Sequence, residues 1–234
     1  DMKENISKIN IVCSKQLYEL LKPHLSNKKF IQFWNIKHEK QLLWGYHDIG
    51  IAISESPAAL LKIMKNAKDN MATVFPVVIC DDAKVFKSAE KSMLVLEKSQ
   101  FASEADIFKY IAKIVESIYY NRGYRKVSEI PNVMTIDKED LDLFLDMPGK
   151  MFFGYGRGDN FETALNSALE SLDSKGDSLP ECKFLMINYV ANQKDYNIYE
   201  SGKEYNKINN SCIIIWSGII DTLTKVHMYI WAKA

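Results

Sequence analysis

Little in these 234 residues offers a direct functional reading. No apolar run approaches the roughly 20 residues needed to span a bilayer, so no membrane partner is expected. Charge of one sign is missing too: 30 Lys and Arg balance 30 Asp and Glu. Without a net positive field or a basic tail, nucleic acid is not an expected partner. Cysteines number four, and Cys13, Cys80, Cys182 and Cys212 each lie in or beside an apolar, strand-like run. That placement favours buried thiols in a reducing compartment over a disulfide framework. His24, His38, His47 and His227 are scattered, with no Cys or carboxylate at metal-ligand spacing, so no metal site is expected. No Ser or Cys sits in a nucleophile elbow, and no His–Asp–Ser order suggests a triad. Internal repeats and low-complexity tracts are absent. No leader pattern stands at the amino end; the chain opens at Asp1 rather than Met, which leaves a removed leader open, and the cytoplasm is the default expectation.

What is present has the composition of a globular protein: 47% hydrophobic and 26% charged residues, enough for one good core or two small ones. In the first half, apolar runs alternate with helical patterns. Strands are predicted at 6–13, 29–36, 48–54 and 71–80, and helices at 14–25 and from 57 onward, with another over 87–100. Ser14 and Ser56 stand at N-cap positions, and Pro57 occupies the first helical position, where a missing N–H costs nothing. Strands alternating with helices imply a parallel sheet in an α/β fold. Residues 104–121 carry Ile107, Tyr110, Ile111, Ile114, Val115, Ile118 and Tyr119 at helical spacing, opened by the capping pair Ser103 and Asp106. Gly123 suits the C-cap. Trp34 and Trp44 read as core or edge aromatics.

The last 85 residues order as strand (150–156), glycine turn, helix (160–172), strand (182–190), helix near 196–207, and strands at 212–217 and 226–232. Two helices then cover one four-stranded sheet. Here a resemblance becomes specific. Lys150-Met-Phe-Phe-Gly-Tyr-Gly-Arg-Gly-Asp-Asn160, followed by Ala164 and Ala168, resembles the C-terminal domain of the FtsZ/tubulin family. Ile215-Trp216-Ser217-Gly218-Ile219-Ile220-Asp221 is similar to that family's tryptophan–glycine connection before the final strand. The resemblance implies a reduced Rossmann-type α/β half (1–102), a central connecting helix (103–123) and an α+β half (124–234).

A nucleotide site in such a fold needs bare backbone amides at strand-to-helix turns. The family's first phosphate turn aligns with Cys13-Ser14-Lys15-Gln16 and a later one with Ser54-Glu55-Ser56-Pro57, both without glycine. Pro57 removes a donor, and Glu55 brings a carboxylate toward the phosphate position. The first half is also shorter than the family's core, with no counterpart for at least one strand–helix pair. No cofactor is therefore expected; GTP with Mg²⁺ belongs only to the alternative of a GTPase completed between subunits. Gly154, Gly156 and Gly158 read as a turn built for backbone geometry, since Asp159 and Glu162 already occupy the positive end of the following helix. The resemblance also implies an intersubunit loop with two acids, and Asp137 and Asp140 match it, with Thr135 in place of asparagine. The same two residues would equally serve to start a helix running into Leu141. The expected partner is an FtsZ-like GTPase whose filament the chain caps or tunes in cell division, or else a second copy in a nucleotide-independent scaffold.

Overall fold

A computed structural model describes residues 8–26, 28–45, 48–82, 93–121, 136–173, 182–197, 203, 205 and 212–234. The chain divides into two compact units, Asp1–Tyr124 and Arg125–Ala234. Its nine described strands form both parallel and antiparallel pairs, in an α/β fold.

In the first unit, strands β1 (Ile9–Cys13), β2 (Ile31–Asn35), β3 (Ile49–Ser54), β4 (Thr73–Cys80) and β5 (Leu94–Glu97) run parallel in the order β2-β1-β3-β4-β5. β1 and β4 are buried at every position, which is why they read as unbroken apolar runs rather than alternating ones. Helix α1 (Lys15–Leu21) starts on Ser14, whose Oγ accepts from the Leu17 N–H at 3.2 Å. It yields to a 3₁₀ turn at Lys22–His24, because Pro23 cannot continue the hydrogen-bond ladder; the helix predicted through Leu25 is thus cut short. Helix α2 (Pro57–Asp69) is capped by Ser56 and lays Leu60, Ile63 and Ala67 on Val12, Ala52, Val74 and Val78. α2 ends in a Schellman closure: Met71 N–H donates to Lys68 O and Ala72 N–H to Ala67 O, with Met71 at φ 56°. Helix α3 (Glu104–Asn121) packs on α1 and β3 and opens on the expected Ser103–Asp106 pair.

One predicted element is wrong in kind. Residues 94–97 of the helix predicted over 87–100 are strand β5, paired with β4 from Val77–Leu94 to Cys80–Glu97, and only Lys98–Gln100 turn helically. Leu94 and Leu96 are buried while Val95 and Glu97 are half-buried, a period of two. Residues 87–92 and Gly123 lie outside the described set.

In the second unit, helix α4 (Lys138–Asp146) precedes β6 (Met151–Gly158), α5 (Phe161–Asp173), β7 (Phe184–Ala191), β8 (Ile213–Ile220) and β9 (Val226–Lys233). The four strands expected here lie in the order β6-β9-β7-β8: β9 is antiparallel to β6 and β7, and β7 is parallel to β8. α5 sets Phe161, Ala164, Leu165, Ala168 and Leu172 against Leu185, Ile187, Tyr189, Met228 and Ile230. On the opposite face, Phe144 of α4 meets Phe184 and Trp231 edge-on. The predicted glycine turn is another correction. Gly154, Gly156 and Gly158 are inside β6, and a Cβ on Gly156 would strike the Ala164 carbonyl and lie 2.9 Å from Ala168 Cα. They are glycine because α5 rides directly on the strand backbone. β8 likewise continues through Gly218 to Ile220, where a connection was expected. Of the helix near 196–207, Tyr196 and Asn197 are not helical, Lys203 and Tyr205 are, and the remainder is outside the described residues.

Candidate functional site

In a parallel sheet the ligand crevice lies outside the carboxyl ends of the strands, where the connections diverge to opposite sides. In the first unit that point is between β1 and β3, since β1 has β2 on one side and β3 on the other. It is framed by the turns Cys13–Gln16 and Ser54–Pro57. Burial pushes the Cys13 thiol up to about 12, so it is a neutral core group at the end of β1. Ser14 caps α1, and its carbonyl accepts from Tyr18 N–H at 3.0 Å.

The second turn uses its own donors. Ser54 Oγ accepts from Ser56 N–H at 3.0 Å, and Ser56 accepts from Ala59 N–H through Oγ at 3.4 Å and through its carbonyl at 3.2 Å. Pro57 has no N–H to give. Beside this turn, Lys98 Nζ lies 3.2 Å from Glu55 and 3.2 Å from Asp81, joining the carboxyl ends of β3, β4 and β5. Hydrogen bonds to Asp81 first, and then to Glu55, hold the lysine above its ordinary range. All three side chains are more than a third exposed, so the bridge is solvent-screened and contributes little stability. Its place is the carboxyl edge of the parallel sheet, where two carboxylates stand side by side at the ends of β3 and β4. Sequence reasoning found Glu55 but missed Lys98 and Asp81, because a helix predicted over 87–100 hides the alignment of strand ends.

The second locus is the head of α4. Asp137 is its N-cap and Asp140 its third residue: Asp140 N–H donates to Asp137 Oδ1 at 2.9 Å, and Asp137 N–H to Asp140 Oδ2 at 3.4 Å. This is a capping box. The structural role anticipated for the two acids is therefore filled. Burial, and then the charge of Asp137 beside it, holds Asp140 above the ordinary carboxylate range, although its backbone bond to Asp137 pulls the other way. Thr135 is outside the described residues.

Elsewhere the candidates disperse. Arg157 and Asp159 lie at the end of β6, with Asp159 paired to Lys225 at 2.7 Å. His227 Nδ1 is 3.4 Å from Tyr155 Oη and 3.3 Å from Tyr229 Oη, a buried aromatic cluster on the sheet. Trp34 donates to Asn10 Oδ1 at 3.0 Å, and Trp44 is in the core, as expected of both. His47 is outside the described set. The four cysteines are free thiols. Among the described residues, no cluster of three or more His, Cys, Asp or Glu could hold a metal, and no helix is long and apolar enough to cross a membrane. A cleft of about 160 Å³ runs between α3 and the Lys22–His24 turn, lined by His24, Ser26, Lys109, Lys113 and Glu116. It adjoins a smaller one at Ile9 and Ile31, the amino ends of β1 and β2, away from the crevice position.

No protein-family model and no curated protein sequence matches the chain. Solved structures do. CetZ from Methanosaeta thermophila strain DSM 6194 aligns over 97% of this chain and 86% of its own, with TM-score 0.66 and 12% identity. FtsZ from M. jannaschii, in an empty dimer, aligns over 97% and 88%, with TM-score 0.62 and 13% identity. TubZ of Bacillus thuringiensis serovar israelensis, in GDP-form protofilaments, aligns over 96% and 83%, with TM-score 0.56 and 12% identity. The strand and helix order, the switch point between β1 and β3 and these alignments agree: the chain has the fold of the FtsZ/tubulin family.

Proposed function

We propose that this chain is an FtsZ/tubulin-fold subunit that acts through protein contacts and uses no nucleotide of its own. The observation that carries the reading is the carboxyl end of the parallel sheet. A triphosphate there would meet Glu55 and Asp81, would find Lys98 already committed to them, and would face a turn whose amides serve Ser54 and Ser56. Like charges repel, and although solvent screens these exposed carboxylates, a triphosphate would gain nothing from them. In this reading residues 1–102 are a shortened, nucleotide-free half, 103–123 the connecting helix and 124–234 the assembly half.

The exposed head of α4, with Asp137 and Asp140, would dock on a true FtsZ-like GTPase in the cytoplasm and cap or tune its filament. Sedimentation of an FtsZ-like GTPase with and without this protein tests that role. Co-sedimentation or altered polymer mass is expected, and Asp137→Ala with Asp140→Ala should abolish it; no interaction in either form removes the capping role. Nucleotide-independent self-association is the second reading, favoured by the empty dimer of the FtsZ structure. The TubZ state is a GDP form, which keeps a GTPase with Mg²⁺ as the reading that nucleotide calorimetry must eliminate.

A further inference from the structure

We propose that Cys182 and Cys212 form a redox clasp: a small disulfide oxidises the two neighbouring thiols to a reversible disulfide that ties the start of β8 to the start of β7. The inference goes beyond the assembly reading and uses neither the crevice nor the head of α4.

The pairing follows from the topology of the second unit. β7 and β8 are parallel neighbours whose register opens at Phe184 with Ile213, and Ile213 N–H donates to Lys183 O at 3.0 Å. Cys182 and Cys212 stand just ahead of those residues, where strands about 4.8 Å apart bring the two side chains together. Their contact is direct, because the Cys212 thiol donates to Cys182 Sγ. Cys182 belongs to the core that α5 shares with the sheet, and Cys212 packs against that core. A disulfide spans Cα atoms about 4.4–6.8 Å apart, which adjacent strand starts satisfy. The other two cysteines have no such neighbour: Cys13 ends β1 and Cys80 ends β4, with β3 between them.

Exposure divides the roles. Cys182 is only 6% exposed, whereas Cys212 is half-buried, so an oxidant reaches Cys212 first. The Cys212 thiolate attacks one sulfur of a low-molecular-weight disulfide such as oxidised glutathione; that S–S bond breaks and one glutathione leaves as its thiol. Cys182 then attacks Cys212 Sγ and expels the second glutathione. Two electrons pass from the cysteines to the oxidant, and the two cysteine protons end on the released thiols. Burial, and then Cys182 beside it, pushes the Cys212 thiol up to about 12; burial raises Cys182 as well. Both are therefore thiols at rest, and exchange is slow. In reducing surroundings such a pair is a switch rather than a permanent staple. Closed, it makes residues 183–211 a covalent loop and pins β8, which pairs with β7 alone among the described strands.

Incubation of the folded full chain with excess oxidised glutathione at pH about 8 tests this. The intact mass should fall by two hydrogens, non-reducing peptide mapping should join Cys182 to Cys212 alone, and dithiothreitol should restore both. Amide hydrogen exchange of β8 should slow by at least about tenfold in the oxidised protein. Cys182→Ala removes the resolving thiol and should trap glutathione on Cys212; Cys212→Ser should leave Cys182 unmodified. Should either variant fail to fold, the wild-type map and exchange rates decide alone. A wild type that keeps four thiols, that stops as a glutathione adduct, that links Cys13 or Cys80, or whose β8 exchange is indifferent to the link would each overturn the proposal. None of these readings depends on nucleotide or on a filament, so failure here leaves the proposed function standing, and the reverse holds too.

Discussion

Lys233 offers the sharpest quantitative test of how the second unit is held together. It is the penultimate residue of the chain, is fully buried, and donates from Nζ to Met147 O at 3.0 Å and to Leu145 O at 3.4 Å while lying 5.6 Å from the Phe144 ring centre. Those carbonyls are the last of α4, the negative end of its dipole, so the lysine acts as a side-chain cap fastening β9 to the helix. Burial nevertheless brings its pKa down from 10.5 to about 8, with the nearby charge of Asp146 opposing the fall. Since the folded value is the lower, the unfolded chain binds more protons between about 8 and 10.5. The charge therefore costs stability in full below pH 8, and the cost fades as pH rises toward 10.5. At 1.36 kcal/mol per unit the cost is about 3 kcal/mol. Lys233→Met removes the titration but leaves two carbonyls without their donor, about 1 kcal/mol each, so at pH 7 the two proteins should differ by only about 1 kcal/mol. Urea unfolding of both from pH 7 to 10.5 should show the wild type gaining about 2–3 kcal/mol on the variant; tyrosines and other lysines titrate in both and cancel. A difference independent of pH would refute the assignment of a desolvated, charged lysine at this position.

Other consequences are simpler. Gly156→Ala places a methyl group against the Ala164 carbonyl and the Ala168 backbone, and should lower stability in urea by about 1–3 kcal/mol or more, as overpacking does. Met71 holds φ 56° at the C-terminus of α2 and is 60% exposed, so Met71→Gly should raise stability by about 1 kcal/mol, measured by thermal or chemical unfolding. Asp137→Ala removes one half of the capping box and should cost about 1 kcal/mol in the same assay, even if no partner is ever found for the loop.

Local chemistry made much of the fold legible in the sequence. Ser14, Ser56 with Pro57, and Ser103 with Asp106 mark helix starts that the structure reproduces, because caps act through neighbours in the chain. The α3 spacing from Ile107 to Ile118 survives for the same reason. What was misread depends on distant partners. Leu94–Glu97 becomes a strand because β4 offers it an edge, against a local pattern that accommodates a helix. The glycines of β6 look like a turn until α5 is laid across them. Pro23 marked the end of α1, yet the leucine spacing through Leu25 concealed it. At the candidate site the sequence exposed Glu55 and Pro57, whereas the contribution of Lys98 requires three strand ends to be side by side. Lys233 left a faint signal: a lysine closing a strand that is apolar but for His227 and buried at every position.

Isothermal titration calorimetry of the protein with GTP and Mg²⁺ tests the central claim most directly. With Glu55 and Asp81 bridged by Lys98 at the carboxyl end of the sheet, no saturable heat is expected at nucleotide concentrations up to about 1 mM, a binding free energy of about −4 kcal/mol. Saturable binding at micromolar concentration, lost on replacement of Ser14 or Ser56, would show that the crevice still holds a triphosphate and would contradict the account.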